Sequence, residues 1–92
     1  MIVAKKITIK GIVQGVGFRS FAHYYALKYN ISGYAKNHSN GNVEIICKGE
    51  ETCFDKFLEH IKLGPSGAEI TEIDIQELSK DSINIKGFKI TR

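Results

Sequence analysis

The sequence predicts an α+β fold in which two helices pack on one face of an antiparallel sheet. Apolar residues alternate along most of the chain, as in half-buried strands, but recur at helical spacing in two longer segments. The only proline, Pro65, follows Gly64 where the second helical segment ends. The resulting order is βαββαβ plus a short strand, which is the order of a split-βαβ, ferredoxin-like sandwich.

The first half of the chain supplies three strands and one helix in this prediction. Ile7, Ile9 and Val13 lie on one face of a strand over residues 2–13. An apolar stripe at helical spacing predicts a helix over residues 18–29. Two further strands, over 32–38 and 42–48, flank the sequence Ser39-Asn40-Gly41-Asn42, which is typical of a tight hairpin.

The second half begins with the clearest helix pattern. Phe54, Phe57, Leu58 and Ile61 have the spacing of one buried helix face, which predicts a helix over residues 51–63. The remaining predicted elements are a strand over 69–78, a polar loop over 79–87 and a short edge strand over 87–91.

Length and composition indicate an ordinary globular protein. Ninety-two residues predict one domain, spanning 1–92, and a net charge of +3 suits an anionic ligand but is too weak to argue for nucleic acid. No apolar run is long enough to cross a membrane, and the N-terminus does not read as a signal peptide, so we expect a cytoplasmic protein. Cys47 and Cys53 are interpreted as structural thiols, because a zinc site needs more ligands.

A glycine-rich turn joins the first strand to the first helix. Gly11, Gly15 and Gly17 let the backbone curl there, and the start of the helix adds free N–H groups and a positive dipole end. This combination predicts an anion site. The turn fits neither the dinucleotide fingerprint nor the P-loop, because the third glycine and the Gly-Lys-Ser/Thr ending are missing. A small oxyanion suits it better than a nucleotide.

Arg19 stands in the first turn of the same helix. The chain has 13 lysines and arginines, and only Arg19 and Arg92 are arginine. Arginine binds phosphate or carboxylate through two parallel N–H groups and lysine does not, so we interpret Arg19 as a specific oxyanion ligand. The alternative is a surface arginine paired with a nearby carboxylate.

Asn37 is the second candidate, near the end of the second strand. Its amide carries both a donor and an acceptor, so it could hold a water molecule beside a developing charge. The alternative is an asparagine that caps the turn. His23, His38 and His60 are scattered and are interpreted as solvated surface residues, with His38 on the face opposite to Asn37.

Two stretches of the sequence resemble the signatures of the acylphosphatase family. The first is residues 11–19, Gly-Ile-Val-Gln-Gly-Val-Gly-Phe-Arg, and the second begins at Gly33-Tyr34-Ala35-Lys36-Asn37 and continues through the hairpin to Gly49. Gly64-Pro65 and Gly87-Phe88 also resemble the family, so that the resemblance covers essentially the whole chain.

The resemblance implies a ferredoxin-like fold and hydrolysis of carboxyl-phosphate bonds without a metal or another cofactor. It implies that Arg19 and Asn37 are catalytic. It also implies a phosphate-binding backbone loop made of Gln14, Gly15, Val16, Gly17, Phe18 and Arg19. The sequence departs from the family at Lys36, where many members have arginine, and at Arg92, where members often end in tyrosine.

The implied partners are a small acyl phosphate as substrate and inorganic phosphate as product and inhibitor, with a monomer and no nucleic acid or membrane. The loop and Arg19 would bind the phosphoryl group while Asn37 orients the attacking water. A domain of this type also begins the hydrogenase-maturation proteins, but 92 residues leave no room for their other domains.

The alternative function is a binding module for an anionic ligand or RNA. RNA-recognition domains share the βαββαβ order and stack bases on aromatic side chains of two central strands. Here the outer face of the first strand offers Thr8, Lys10 and Ile12, and that of the third offers Glu44, Ile46 and Lys48. Neither strand carries an aromatic residue there, which disfavours this alternative.

Overall fold

A computed structural model describes all 92 residues and contains the predicted strands and helices. The strands are β1 (Ile2–Ile12), β2 (Ser32–Asn37), β3 (Val43–Glu50), β4 (Glu69–Glu77) and β5 (Phe88–Thr91), and the helices are α1 (Phe18–Lys28) and α2 (Glu51–Leu63). The five strands form one sheet in the order β4-β1-β3-β2-β5. The predicted α+β ferredoxin-like class is confirmed.

One hydrophobic core lies between the sheet and the two helices. Alternate residues of the central strands, such as Ile7 and Ile45, point into it, and α1 and α2 contribute Phe18 and Phe57. All four of these side chains are at most 2% exposed. Because strands alternate their faces, one face of the sheet is covered by helices and the other carries mainly polar residues.

The sheet is mixed, whereas the prediction described it as antiparallel. The pairs β1–β3, β1–β4 and β2–β3 are antiparallel, but β5 runs parallel to β2. The physical reason is the connection after β4, which crosses one end of the sheet to the opposite edge. A strand that starts from that end runs opposite to β4 and therefore in the same direction as β2.

Most predicted boundaries lie within one residue of the observed ones, and two differences are larger. The strand β3 extends to Glu50, because its last residues pair with the start of β1 at Ile2. The predicted polar loop contains a short 3-10 turn, Lys80–Ser82, and a buried residue, Ile83. Ile83 is flanked by polar residues and alternates only with Ile85, which is too short a pattern to predict its burial.

The topology gathers three chain segments at one end of the sheet. The strands β1, β2 and β5 run in the same direction, so their final residues lie at the same end. The start of α1 follows β1 there, beside Asn37 at the end of β2 and Thr91 at the end of β5.

Candidate active site

The glycine turn adopts the backbone conformation that only glycine takes easily. Gly15 and Gly17 have φ angles of 77° and 78°. A Cβ atom at either position would meet no other atom within 4 Å, so the requirement is for the positive φ and not for space. Gly17 is also the N-cap of α1, and no side chain caps this helix.

The backbone N–H groups of the turn have no acceptor in the protein. The first backbone bond of α1 runs from the N–H of Phe21 to the carbonyl of Gly17, over 2.9 Å. The N–H groups of residues 14–17 make no hydrogen bond, and the first three residues of a helix have no intrahelical acceptor. A row of donors at a positive helix end is therefore open to an anion.

The guanidinium of Arg19 lies beside these donors and is held by the last strand. Its Nη1 donates to the carbonyl oxygen of Thr91 over 2.9 Å. No carboxylate lies within ion-pair distance of Arg19, so the surface ion pair considered as an alternative is absent. The remaining N–H groups of the guanidinium stay available to a ligand.

Asn37 is the last residue of β2, and its side chain faces the same end of the sheet. The side-chain amide of Asn37 makes no hydrogen bond with another group of the protein. The turn is capped by a different asparagine, because Oδ1 of Asn40 accepts the N–H of Asn42 over 3.0 Å. The turn-capping alternative for Asn37 therefore does not apply.

These groups border one cavity of about 130 Å³. It is lined by Val13, Gln14, Gly15, Gly17, Phe18, Arg19, Ser20, Asn37 and Ile90. Of the residues predicted from the sequence, only Val16 lies outside the lining, and its side chain lies on the side of Gly67. Ser20 and Ile90 were not predicted, although Ser20 directly follows Arg19 and could have been found by its helical position.

A charged cluster lies next to the β2–β3 hairpin, on the face of the sheet that the helices do not cover. The Glu44 carboxylate accepts hydrogen bonds from the hydroxyl of Tyr34 and from Nε2 of His38, each over 3.0 Å, and Lys6 lies 3.7 Å away. Burial raises the pKa of Glu44, but the bonds from His38 and Tyr34 and the charge of Lys6 outweigh it, so the net pKa is lowered. Burial, together with Glu44, raises the pKa of Tyr34.

All three histidines are partly exposed, but two of them have partners that the sequence did not predict. His38 does lie opposite to Asn37, as expected, but it is bonded to Glu44. The ring of His60 stacks on Tyr25 at a centroid distance of 3.9 Å and is hydrogen-bonded to the hydroxyl of Tyr29 over 3.1 Å. Pairing between two helices cannot be foreseen from the spacing within either one.

No three histidine, cysteine or carboxylate side chains come together as a possible metal site. Neither helix has the length and apolarity needed to span a membrane. Both cysteines are free thiols.

The fold and the cavity define a small α+β protein in which unpartnered N–H donors and an arginine line a cavity at one end of the sheet. The family model for Acylphosphatase matches residues 5–90. The chain belongs to the acylphosphatase family.

Relatives and solved structures agree with this assignment. The acylphosphatase of Vibrio vulnificus is 41% identical over 86 residues, which cover 94% of this chain and 93% of that protein. The crystal structure of acylphosphatase from Bacillus subtilis superposes with a TM-score of 0.92 at 35% identity, and both chains are fully covered. A full-length HypF in its phosphate- and nucleotide-bound form gives a TM-score of 0.87 at 38% identity, with all of this chain matching 12% of that one.

The chain is therefore an enzyme. It hydrolyses acyl phosphates, small molecules in which a carboxylate is joined to phosphate, to the free carboxylate and inorganic phosphate.

Proposed function

We propose that this hydrolysis takes place in the cavity between the glycine turn and Asn37. The observation that carries the proposal is that three kinds of polar group converge on one cavity and have no hydrogen-bond partner in the protein. They are the N–H groups of residues 14–19, the remaining guanidinium donors of Arg19 and the whole amide of Asn37.

The N–H groups of the turn and Arg19 bind the three outer oxygens of the phosphoryl group. Their charges and dipoles are fixed before the substrate arrives, so little reorganisation is needed as charge develops. A cavity of about 130 Å³ has room for the phosphoryl group but leaves the acyl group outside. The acyl group then points into solvent, past the exposed side chain of Ile90.

Asn37 orients the water that attacks phosphorus. A bond forms between the water oxygen and phosphorus while the bond from phosphorus to the acyl oxygen breaks, and the carboxylate leaves with the electron pair. The proton of the water passes to a phosphoryl oxygen, because no titratable side chain lines the cavity apart from Arg19. The products are the carboxylate and inorganic phosphate.

We propose that inorganic phosphate competes with the substrate for the same donors. We further propose that residues 1–92 act as one domain and as a cytoplasmic monomer. The two free thiols suit a reducing compartment. One of the two edges of the sheet disfavours pairing with a second copy, because its strand β4 carries exposed carboxylates at Glu69, Glu72, Asp74 and Glu77.

Nucleic acid is not proposed as a partner. The face of the sheet without helices has an acidic residue, Glu44, near its centre. The aromatic residue Tyr34 on this face donates a hydrogen bond from its hydroxyl to the Glu44 carboxylate. The ring of Tyr34 is engaged beside this carboxylate, so it is not free to stack on a base.

The test is hydrolysis of benzoyl phosphate by the wild type and by Asn37→Ala. We expect the substitution to lower kcat by about a hundredfold or more, because one preorganised polar group is lost. The matched control is Asn84→Ala, an exposed asparagine far from the cavity, which should keep full turnover. Full turnover in a folded Asn37→Ala protein would contradict the proposal.

A further inference from the structure

The side chain of Gln14 joins the phosphate loop to the hairpin between β2 and β3. Its Nε2 donates to the carbonyl oxygen of His38 over 2.7 Å and to that of Asn42 over 2.9 Å. Both N–H groups of one amide are thus used by the hairpin and neither points to the ligand. The sequence predicts a role only for the backbone N–H group of Gln14, not for its side chain.

These bonds are the only hydrogen bonds between residues 14–20 and residues 37–42. The two segments carry different halves of the proposed site. The first holds the phosphoryl group, and the second begins with Asn37, which orients the water. Gln14 and His38 are 24 positions apart in the sequence, so chain connectivity alone does not set the distance between the halves.

The hairpin offers Gln14 a firmly held pair of acceptors. The N–H of His38 donates to the carbonyl of Asn42 over 2.9 Å, which closes the base of the hairpin. The imidazole of His38 is bonded to Glu44 on the opposite face of the sheet. The residue directly after Asn37 is therefore fixed from both faces, by Gln14 on one and Glu44 on the other.

We propose that Gln14 is a positioning residue that sets the amide of Asn37 in line with the phosphoryl group held by the loop. The inference rests on the proposed roles of the loop and of Asn37. The side chain of Gln14 touches neither the substrate nor the water, whereas its backbone N–H belongs to the loop. Loss of its two bonds should let the loop and the hairpin move apart while each keeps its own conformation.

The test compares Gln14→Met with Gln76→Met. Methionine has nearly the length of glutamine but no N–H donor, and Gln76 is the other glutamine of the chain, exposed on β4. In Gln14→Met we expect kcat for benzoyl phosphate to fall about tenfold, since small misplacements of reacting groups are costly. Competitive inhibition by phosphate should change by less than about threefold, because the loop donors remain. Gln76→Met should match the wild type.

A double variant separates positioning from a direct role. If Gln14 acts through Asn37, Gln14→Met should cause no further loss of kcat in the Asn37→Ala background. An equal loss in both backgrounds would overturn the proposal, and so would weaker phosphate inhibition with kcat unchanged. Full turnover in Gln14→Met beside an inactive Asn37→Ala would overturn the positioning role alone, whereas full turnover in Asn37→Ala would contradict the proposed function.

Hydrogen exchange tests the link that the Gln14 side chain makes between the loop and the hairpin, independently of catalysis. The amide proton of His38 should exchange about tenfold faster or more in Gln14→Met, while that of Phe57 in α2 keeps its wild-type rate. Gln14→Asn provides a second variant that retains the donors but is one methylene too short to reach both carbonyls. It should show the same changes in kcat and exchange, and wild-type behaviour in both would overturn the proposal.

Discussion

The guanidinium of Arg19 donates through Nη1 to the carbonyl oxygen of Thr91 over 2.9 Å, so the first turn of α1 is joined to the last strand of the sheet. A guanidinium is planar and carries five N–H groups. One bond to Thr91 therefore restricts the orientation of the guanidinium and leaves its other N–H groups available to a ligand. The contact uses a main-chain carbonyl, so it does not depend on the side chain at position 91.

The cluster around Glu44 should add stability that depends on pH. Its pKa is lowered on folding, so the contribution is present above the unfolded value of about 4.3 and is lost as pH falls through the lower folded value. We expect Glu44→Gln to cost about 1 kcal/mol at pH 7, after allowance for solvent screening, and less at pH 3. Urea unfolding at both pH values measures this.

Glu59→Gln is the matched control for that experiment, because Glu59 is exposed on α2 and forms no ion pair. It should leave the free energy of unfolding unchanged at both pH values. A loss in Glu44→Gln that stays the same from pH 7 to pH 3 would show that the lowered carboxyl pKa is not its cause.

The two thiols should differ sharply in reactivity. Burial raises the pKa of Cys47 to about 12, so almost no thiolate is present at pH 8, whereas Cys53 is only half-buried. A thiol reagent such as DTNB should modify one cysteine in the native protein and two in denaturant. Cys53→Ser should abolish the native reaction, and rapid labelling of that variant would contradict the burial of Cys47.

The sequence was sufficient to predict the elements that repeat a regular pattern. Phe54, Phe57 and Ile61 mark α2, and its predicted bounds match the structure. Family membership, which the motif around Arg19 and the stretch around Asn37 indicated, is also confirmed. The roles of those two residues stay predictions, although the structure brings both to one cavity.

The contacts that hold the site together could not be predicted in the same way. Gln14 and Arg19 are both fixed by main-chain carbonyls, of His38, Asn42 and Thr91. Every residue has such a carbonyl, so no residue type or spacing identifies the acceptor. Only the arrangement of the strands decides which carbonyl lies within reach.

Turnover should not require a metal ion. In the proposed mechanism Arg19 and the N–H groups of residues 14–19 supply the positive charge and the donors that a metal supplies in other phosphoryl-transfer enzymes. Protein treated with EDTA and then dialysed should keep its kcat for benzoyl phosphate. Loss of activity that added magnesium restores would show that the chain's own groups are insufficient.

The most direct test of the proposed site is kcat for benzoyl phosphate in Arg19→Lys, with Arg92→Lys as the matched control at the only other arginine. Lysine keeps the charge but cannot hold Thr91 and two phosphoryl oxygens in one plane. We predict that kcat falls by about a hundredfold or more and that phosphate inhibits less strongly. Far-UV circular dichroism should be unchanged, because lysine and arginine have similar helix propensities. If Arg19→Lys keeps most of its turnover, as Arg92→Lys should, Arg19 supplies only electrostatic attraction and the proposed bidentate contact is wrong.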